Sequence, residues 1–364
     1  MAPVNKPLRK GLSYALSAVV GFGLLGGILY YTGWRGVLEQ MRDLDWDGMM
    51  AVAATVVLGV TAAGVSWWII LRSYGIRLSF LIVGGSWLSS YAVTYLTPSM
   101  YFGGEPIRAI LIADRSRAPA TRVVATIVVE RVIGGLSLII FVLIGTACAL
   151  ASSEVPPAQK RVVLAGAAFV ALWIGMGLLN FAGNFKWISR ATRWLGRPIP
   201  RGREWFERAA LKVSETEDEI HHAFANHRRA ILLVFVFQML ASFFAFMRPQ
   251  VFFHFSAGRT FDFSQLSLLF TLNIFLGMFL WITPGGVGMS EAALIGIYKL
   301  VDVGKAGAVA FSLSYKCVEF AVVAIGVSYM LNRGIGRIVR SLKERSQSEH
   351  PAEGAPPSAP AQGS

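Results

Sequence analysis

Seven uncharged stretches of eighteen or more residues constrain this chain more than any other feature: 11–34, 48–71, 78–104, 132–153, 162–185, 230–247 and 263–290. An eighth apolar stretch, 306–331, is interrupted by Lys316 and Glu319. A spanning helix needs about 20 mostly apolar residues, so the pattern predicts an all-α polytopic membrane protein. Only 15% of the 364 residues are charged, too few to cover a soluble surface, where about 25% is usual. The two cysteines, Cys148 and Cys317, exclude a disulfide scaffold. Both lie in apolar runs and read as small core side chains. The net charge of +13 reads as basic cytoplasmic loops rather than a nucleic-acid surface, so no nucleic-acid partner is expected. Lys6, Arg9 and Lys10 precede the first run as they would in a signal peptide. Its apolar core is too long, however, and Leu29-Tyr30-Tyr31 offers no small-residue cleavage site, so a retained helix is expected.

The Lys/Arg distribution orients the helices. Segment 182–229 carries ten Lys/Arg and 332–346 carries five, which places both in the cytoplasm. Segment 35–47 sets Arg35 and Arg42 against Glu39, Asp43, Asp45 and Asp47, and belongs outside. Eight simple crossings cannot satisfy these assignments together. They agree if 80–113 is a hairpin that enters from the cytoplasm and returns, and 263–301 a hairpin that enters from outside. Six full spans then remain, at about 12–32, 49–71, 121–151, 162–181, 230–255 and 306–331. Eight spans is the alternative. Both termini become cytoplasmic, with 23 Lys/Arg inside against 6 outside, as expected for a multi-pass protein of the plasma (inner) membrane. The domain is taken as 1–335, with repeat one at about 49–151, a basic linker at 182–229 and repeat two at about 230–331. The Pro/Ala/Ser-rich stretch 347–364 reads as a disordered tail.

The hairpin tips are related. The first reads Thr97-Pro98-Ser99-Met100-Tyr101-Phe102-Gly103-Gly104-Glu105-Pro106, and the second Thr283-Pro284-Gly285-Gly286-Val287-Gly288-Met289-Ser290-Glu291. Each has Thr-Pro, a Gly-Gly pair, and a glutamate seven residues after the proline; the two lie 186 positions apart. The same offset carries Glu130 onto Lys316, so each hairpin precedes a helix with buried charge: Glu130-Arg131, then Lys316 and Glu319. Opposite entry with matched spacing is the pattern of an inverted repeat, in which broken helices meet near the midplane. Proline ends the descending helix and glycine permits the reversal. The returning helices, expected to start near Pro106 and Met289, present free N–H groups suited to an anion such as a lipid phosphate.

Charged side chains within the membrane are costly and are functional candidates by default. Two readings stay open for most of them here. Glu105 and Glu291 either cap the returning helices or contact a ligand. Arg108 either bridges to Glu105 at i+3 or faces a phosphate. Glu130, Arg131, Lys316 and Glu319 read as gating or structural charges, with the cross-repeat pairs Glu130–Lys316 and Arg131–Glu319 as candidates. Arg248, beside Pro249, is expected to snorkel to the interface. No cofactor and no metal are expected: His221, His222, His227, His254 and His350 form no metal-ligand spacing. The Gly-Gly tips lack the Lys-Ser/Thr of a phosphate loop. Ser290 sits outside any nucleophile elbow, so no catalytic residue is assigned. Basic and aromatic residues alternate at 184–212, either as an element resting on anionic lipid or as a plain basic loop.

Pro98-x4-Gly103-Gly104-Glu105-Pro106-x-Arg108, the Glu130-Arg131 helix and Pro284-Gly285-Gly286-x-Gly288-x-Ser290-Glu291 together resemble the lysylphosphatidylglycerol synthase transmembrane family. This is the flippase-like domain of MprF-type proteins and of stand-alone YbhN-like relatives. The resemblance covers roughly residues 10–335. It implies a helical membrane domain with two-fold pseudo-symmetry, lipid translocation, and a substrate site built from the quoted hairpin residues. It does not carry a substrate with it, since relatives serve anionic, glycosylated, polyprenyl or hopanoid-type lipids. The synthase activity of the bifunctional members resides in a soluble aminoacyltransferase domain. This chain runs only about thirty residues past its last span, so no enzyme activity is expected. The leading expectation is a lipid translocase acting without ATP. A non-transporting partner that presents lipid to a separate biosynthetic enzyme is the alternative. A membrane-embedded transferase using Glu105 or Glu291 as base is a third. The sequence leaves the oligomeric state open.

Overall fold

A computed structural model describes residues 23–97, 103–151, 153, 157–196, 203–279 and 283–333. Every regular element among them is helical. In chain order these are α1 (23–32), α2 (Trp34–Arg42), α3 (Asp45–Ser73), α4 (Phe80–Leu96), α5 (Glu105–Ser116), α6 (Ala120–Ala151), α7 (Pro157–Ala182), α8 (Trp187–Gly196), α9 (Arg203–Asn226), α10 (Arg228–Ala257), α11 (Phe263–Phe279), α12 (Met289–Tyr298) and α13 (Lys305–Arg333). Five of them, α3, α6, α7, α10 and α13, are long and apolar enough to cross a membrane. They match five of the six expected spans to within a few residues. The expected span at 12–32, the tip residue Pro98 and the tail at 347–364 fall wholly or partly outside the described residues.

Helices α4 and α11 are apolar but only 17 residues each. At 1.5 Å per residue that is about 25 Å, short of the ~30 Å hydrocarbon thickness. Each turns back into a short partner. Gly104, at the start of α5, packs on the Ser90 backbone and donates its N–H to Thr94 Oγ1 at 3.0 Å. At the other end of α5, Arg115 reaches the Tyr329 hydroxyl at 2.6 Å, and Tyr329 lies beside Ile82 and Gly85 near the start of α4. So α4 and α5 form an antiparallel hairpin. The second closes alike: Arg259, just before α11, donates to the carbonyls of Val301 and Asp302, just after α12.

The two hairpins point in opposite directions. Helix α6 starts beside the base of the first and ends beside the base of the second, where Gly145 packs directly on Ser267 and Thr271 of α11. Helix α13 runs the other way, from the second base to Tyr329 at the first. The packing partners exchange accordingly: α3 lies along α10, α4 along α13, and α11 along α6. Small residues set these close approaches, as expected where lipid supplies no hydrophobic drive between helices. A Cβ at Gly326 would overlap the Leu88 carbonyl. The apolar interior forms two main clusters. One, around Phe252, Phe253, Tyr298 and Phe311, packs the second hairpin. The other, around Trp67, Ile70, Ile112 and Ile133, packs the first.

Among the described residues, the basic segment 182–229 forms α8 and α9, packed on each other. Buried Glu217 of α9 accepts the N–H groups of Ile188 and Ser189 at 3.2 Å each, capping the start of α8, and Glu219 pairs with Arg122 of α6. Of the two cysteines, Cys148 is half-buried and Cys317 exposed. The core reading therefore fails for Cys317, because its face of α13 turns away from the bundle.

Candidate functional site

The site is built where the hairpin tips meet. Gly285 has φ +60, and a Cβ there would come within 2.5 Å of the Tyr95 ring near the end of α4. Only glycine lets the second tip sit against the first. The Thr283 hydroxyl bridges the turn to the Val287 carbonyl at 3.0 Å.

Behind the second tip lies a closed polar cluster. Glu291, fully buried, accepts the Gly288 N–H at 2.7 Å and so caps α12. Its other oxygen receives the Lys316 ammonium and the Ser312 hydroxyl, each at 2.7 Å. Lys316 also donates to Ser290 Oγ at 2.6 Å, and Ser290 returns a bond to the Gly286 carbonyl. Both Glu291 oxygens are thus engaged. Capping, one of the two readings of Glu291, is what it does. The carboxylate already occupies the positive end of α12, where an anionic ligand was expected.

The first tip is different. Glu105 opens α5 without a side-chain cap bond. It pairs with Arg131 of α6 through Oε1 at 2.5 Å, while Oε2 is buried without a hydrogen-bond partner. Arg131 keeps 41% of its side chain exposed. Arg108 turns the other way, into the bundle. It pairs with Glu130 at 2.8 Å, with side-chain exposures of 1% and 4%, and lies 4.8 Å from the centre of the Trp67 ring. Gln238 of α10 donates to Glu130 at 3.0 Å and to Ser66 at 2.7 Å, tying this pair to α3. The hydroxyl of Tyr95 and Nε of Arg108 are also buried without partners.

These contacts correct three expectations. The cross-repeat pairs Glu130–Lys316 and Arg131–Glu319 do not form. Each hairpin folds back beside the long helix that follows it, so its charges meet partners on that helix: Arg108 with Glu130, Glu105 with Arg131, Glu291 with Lys316. The i+3 bridge Glu105–Arg108 is also absent, since the two side chains leave α5 toward different residues of α6. Arg248 does not snorkel. It pairs with Glu319 at 3.2 Å, largely buried, with the Tyr315 ring 5.6 Å away. The remaining named residues, Gly103, Gly104, Gly286 and Gly288, shape the turns and present no side chain.

Gln238, Ser312 and Tyr95 went unnoticed in the sequence. Gln238 had a signal: it is the one amide in the uncharged run 230–247, and an isolated amide among apolar residues needs a partner. Ser312 and Tyr95 had none, because single hydroxyls are common in membrane helices.

The sequence profile of the lysylphosphatidylglycerol synthase TM region matches residues 14–326. The chain belongs to that family. Among its relatives, a UPF0104 membrane protein of Pyrococcus horikoshii is 23% identical over 335 residues, covering 87% of this chain and 97% of that protein. Another, from Methanothermobacter thermautotrophicus, is 24% identical over 330 residues, covering 86% and 94%. No solved structure matches the chain significantly. Family membership and five apolar spans make this a multi-pass membrane protein, and the match runs through both hairpins and both charged helices.

Proposed function

We propose that this family member is a lipid translocase whose head-group path runs past the first hairpin tip. The carrying observation is the set of unpaired polar atoms there. At the first tip Glu105 Oε2 is buried without a partner next to a half-exposed Arg131, and the Tyr95 hydroxyl, where the second tip rests on α4 at Gly285, is unpartnered as well. Buried polar groups are ordinarily satisfied, and a lipid head group supplies both donors and acceptors. Arg131, with a planar fork suited to phosphate, takes the contact assigned earlier to Arg108. An anionic or glycosylated lipid fits this chemistry, its tails remaining in the bilayer.

The opposed hairpins and exchanged packing partners support an inverted repeat of about 49–151 and 230–331. Rocking one half on the other would expose the tips to each side in turn. The Lys/Arg bias supports cytoplasmic termini and an inner-membrane location. A carrier is favoured over a catalyst because Glu105, Glu130, Glu291 and Glu319 each lie against a cation. That arrangement commits each carboxylate to an ion pair rather than leaving it free to act on a substrate.

The test is purified protein in liposomes of phosphatidylglycerol and phosphatidylcholine, with tail-labelled fluorescent phosphatidylglycerol quenched from outside by dithionite. Wild type is expected to make the inner-leaflet label accessible. Glu105→Gln and Arg131→Gln are expected to abolish this while incorporating normally. Undiminished translocation in both variants would overturn the assignment of the path.

A further inference from the structure

An apolar groove lies away from the hairpin tips. Helices α6, α7, α9 and α10 enclose a groove of about 320 Å³, within the roughly 300–1,000 Å³ range of small-molecule sites. Leu136 of α6, Leu178 of α7 and Ile231, Leu232 and Phe235 of α10 supply its walls, and Arg228 is the sole polar residue among those lining it. From Arg228 to Phe235 it follows α10 for seven residues, about 10 Å at the helical rise. The Arg228 side chain is exposed and makes no hydrogen bond or ion pair among the described residues. It stands in the first turn of a 30-residue helix that has no acidic residue there and no side-chain cap.

We propose that this groove holds one acyl chain of an anionic phospholipid, with the phosphate on Arg228. Three features choose this occupant. The walls are apolar and open toward the bilayer, so a chain enters without crossing polar surface. The cation stands at the end of the groove beside α9, at the level where Arg122 of α6 meets Glu219 outside the apolar interior. A phosphate there gains a charge-assisted bond together with the uncapped N–H groups of α10. The groove lacks the unpartnered buried polar atoms of the tips, so the lipid it holds is retained rather than translocated. It would wedge α9 against α6 and α10.

The experiment is native mass spectrometry of the full chain released from nanodiscs of equal phosphatidylglycerol and phosphatidylcholine with identical tails. Wild type is expected to retain one phosphatidylglycerol about fivefold more often than phosphatidylcholine, the preference one arginine near a membrane surface provides. Arg228→Gln should erase that preference, while neighbouring Arg229→Gln, outside the groove, should keep it. Leu178→Trp, which fills the groove, should lose the bound lipid altogether. Equal preference in Arg228→Gln and Arg229→Gln would overturn the phosphate contact, and an undiminished bound lipid in Leu178→Trp would overturn the groove. Glu105→Gln serves as the control for the tip path. Retention that vanishes in that variant would mean the lipid sits at the hairpins instead.

Discussion

The two hairpins share a sequence pattern and differ in how completely they satisfy it. In the second, Glu291 is buried and bonded through both oxygens to Gly288, Ser312 and Lys316. In the first, Glu105 has one bonded and one unpartnered oxygen, and its cation is half-exposed. The buried pair beside the first hairpin, Arg108–Glu130, lies away from the tip in the bundle, where Gln238 ties it down. The same Thr-Pro-(Gly-Gly)-Glu framework therefore builds a self-satisfied brace on one side and an open polar tip on the other. A charged residue in a membrane is not by that fact a ligand contact. What matters is whether the protein has already used all of its bonding capacity.

Substitutions at the two tips should separate these roles. The largest effect is expected from Lys316→Ala, which leaves Glu291 charged and unpaired in the interior. Breaking a buried pair in this way costs about 3–5 kcal/mol. Membrane abundance and thermal unfolding of the purified protein should both fall sharply. Gly104→Ala comes next, because its Cβ would overlap the Ser90 carbonyl. Forcing α4 and α5 apart is an overpacking defect of about 1–3 kcal/mol, read as a lowered melting temperature in detergent. Tyr329→Phe removes the hydroxyl bonded to Arg115 at the first hairpin's base and should cost about 0.5–1.5 kcal/mol. Any larger effect would mean that this contact also sets the conformational equilibrium. The smallest stability change is expected from Arg131→Gln, since a half-exposed pair contributes about 0–1 kcal/mol, yet translocation should be lost. If Arg131→Gln destabilised the protein as much as Lys316→Ala, the contrast between the tips would collapse.

Most of the helical layout was legible in the sequence. Uncharged runs of eighteen residues are local, and the bilayer reads them locally, so α3, α6, α7, α10 and α13 fell where the apolar stretches placed them. The two short apolar helices were legible through Thr-Pro and Gly-Gly, because proline and glycine act on their own backbone. The helical form of 182–229 was harder to read. Its stability comes from tertiary contacts, chiefly Glu217 on the start of α8 and Glu219 on Arg122, which hydropathy does not register.

Partner choice was not legible at all. The sequence determined that Glu105, Arg108, Glu130, Arg131, Glu291, Lys316 and Glu319 would lie in apolar surroundings and need compensation, because leaving a charge bare in hydrocarbon is too costly. Only the tertiary structure decided who compensates whom. Gly104 seated on Ser90 brings α5 back alongside α4, and α5 in turn lies beside α6. That placement, fixed by backbones touching where no side chain intervenes, hands Arg108 to Glu130 and Glu105 to Arg131. Spacing along the chain cannot reveal it, since a pairing energy depends on distances across helices that the fold alone sets.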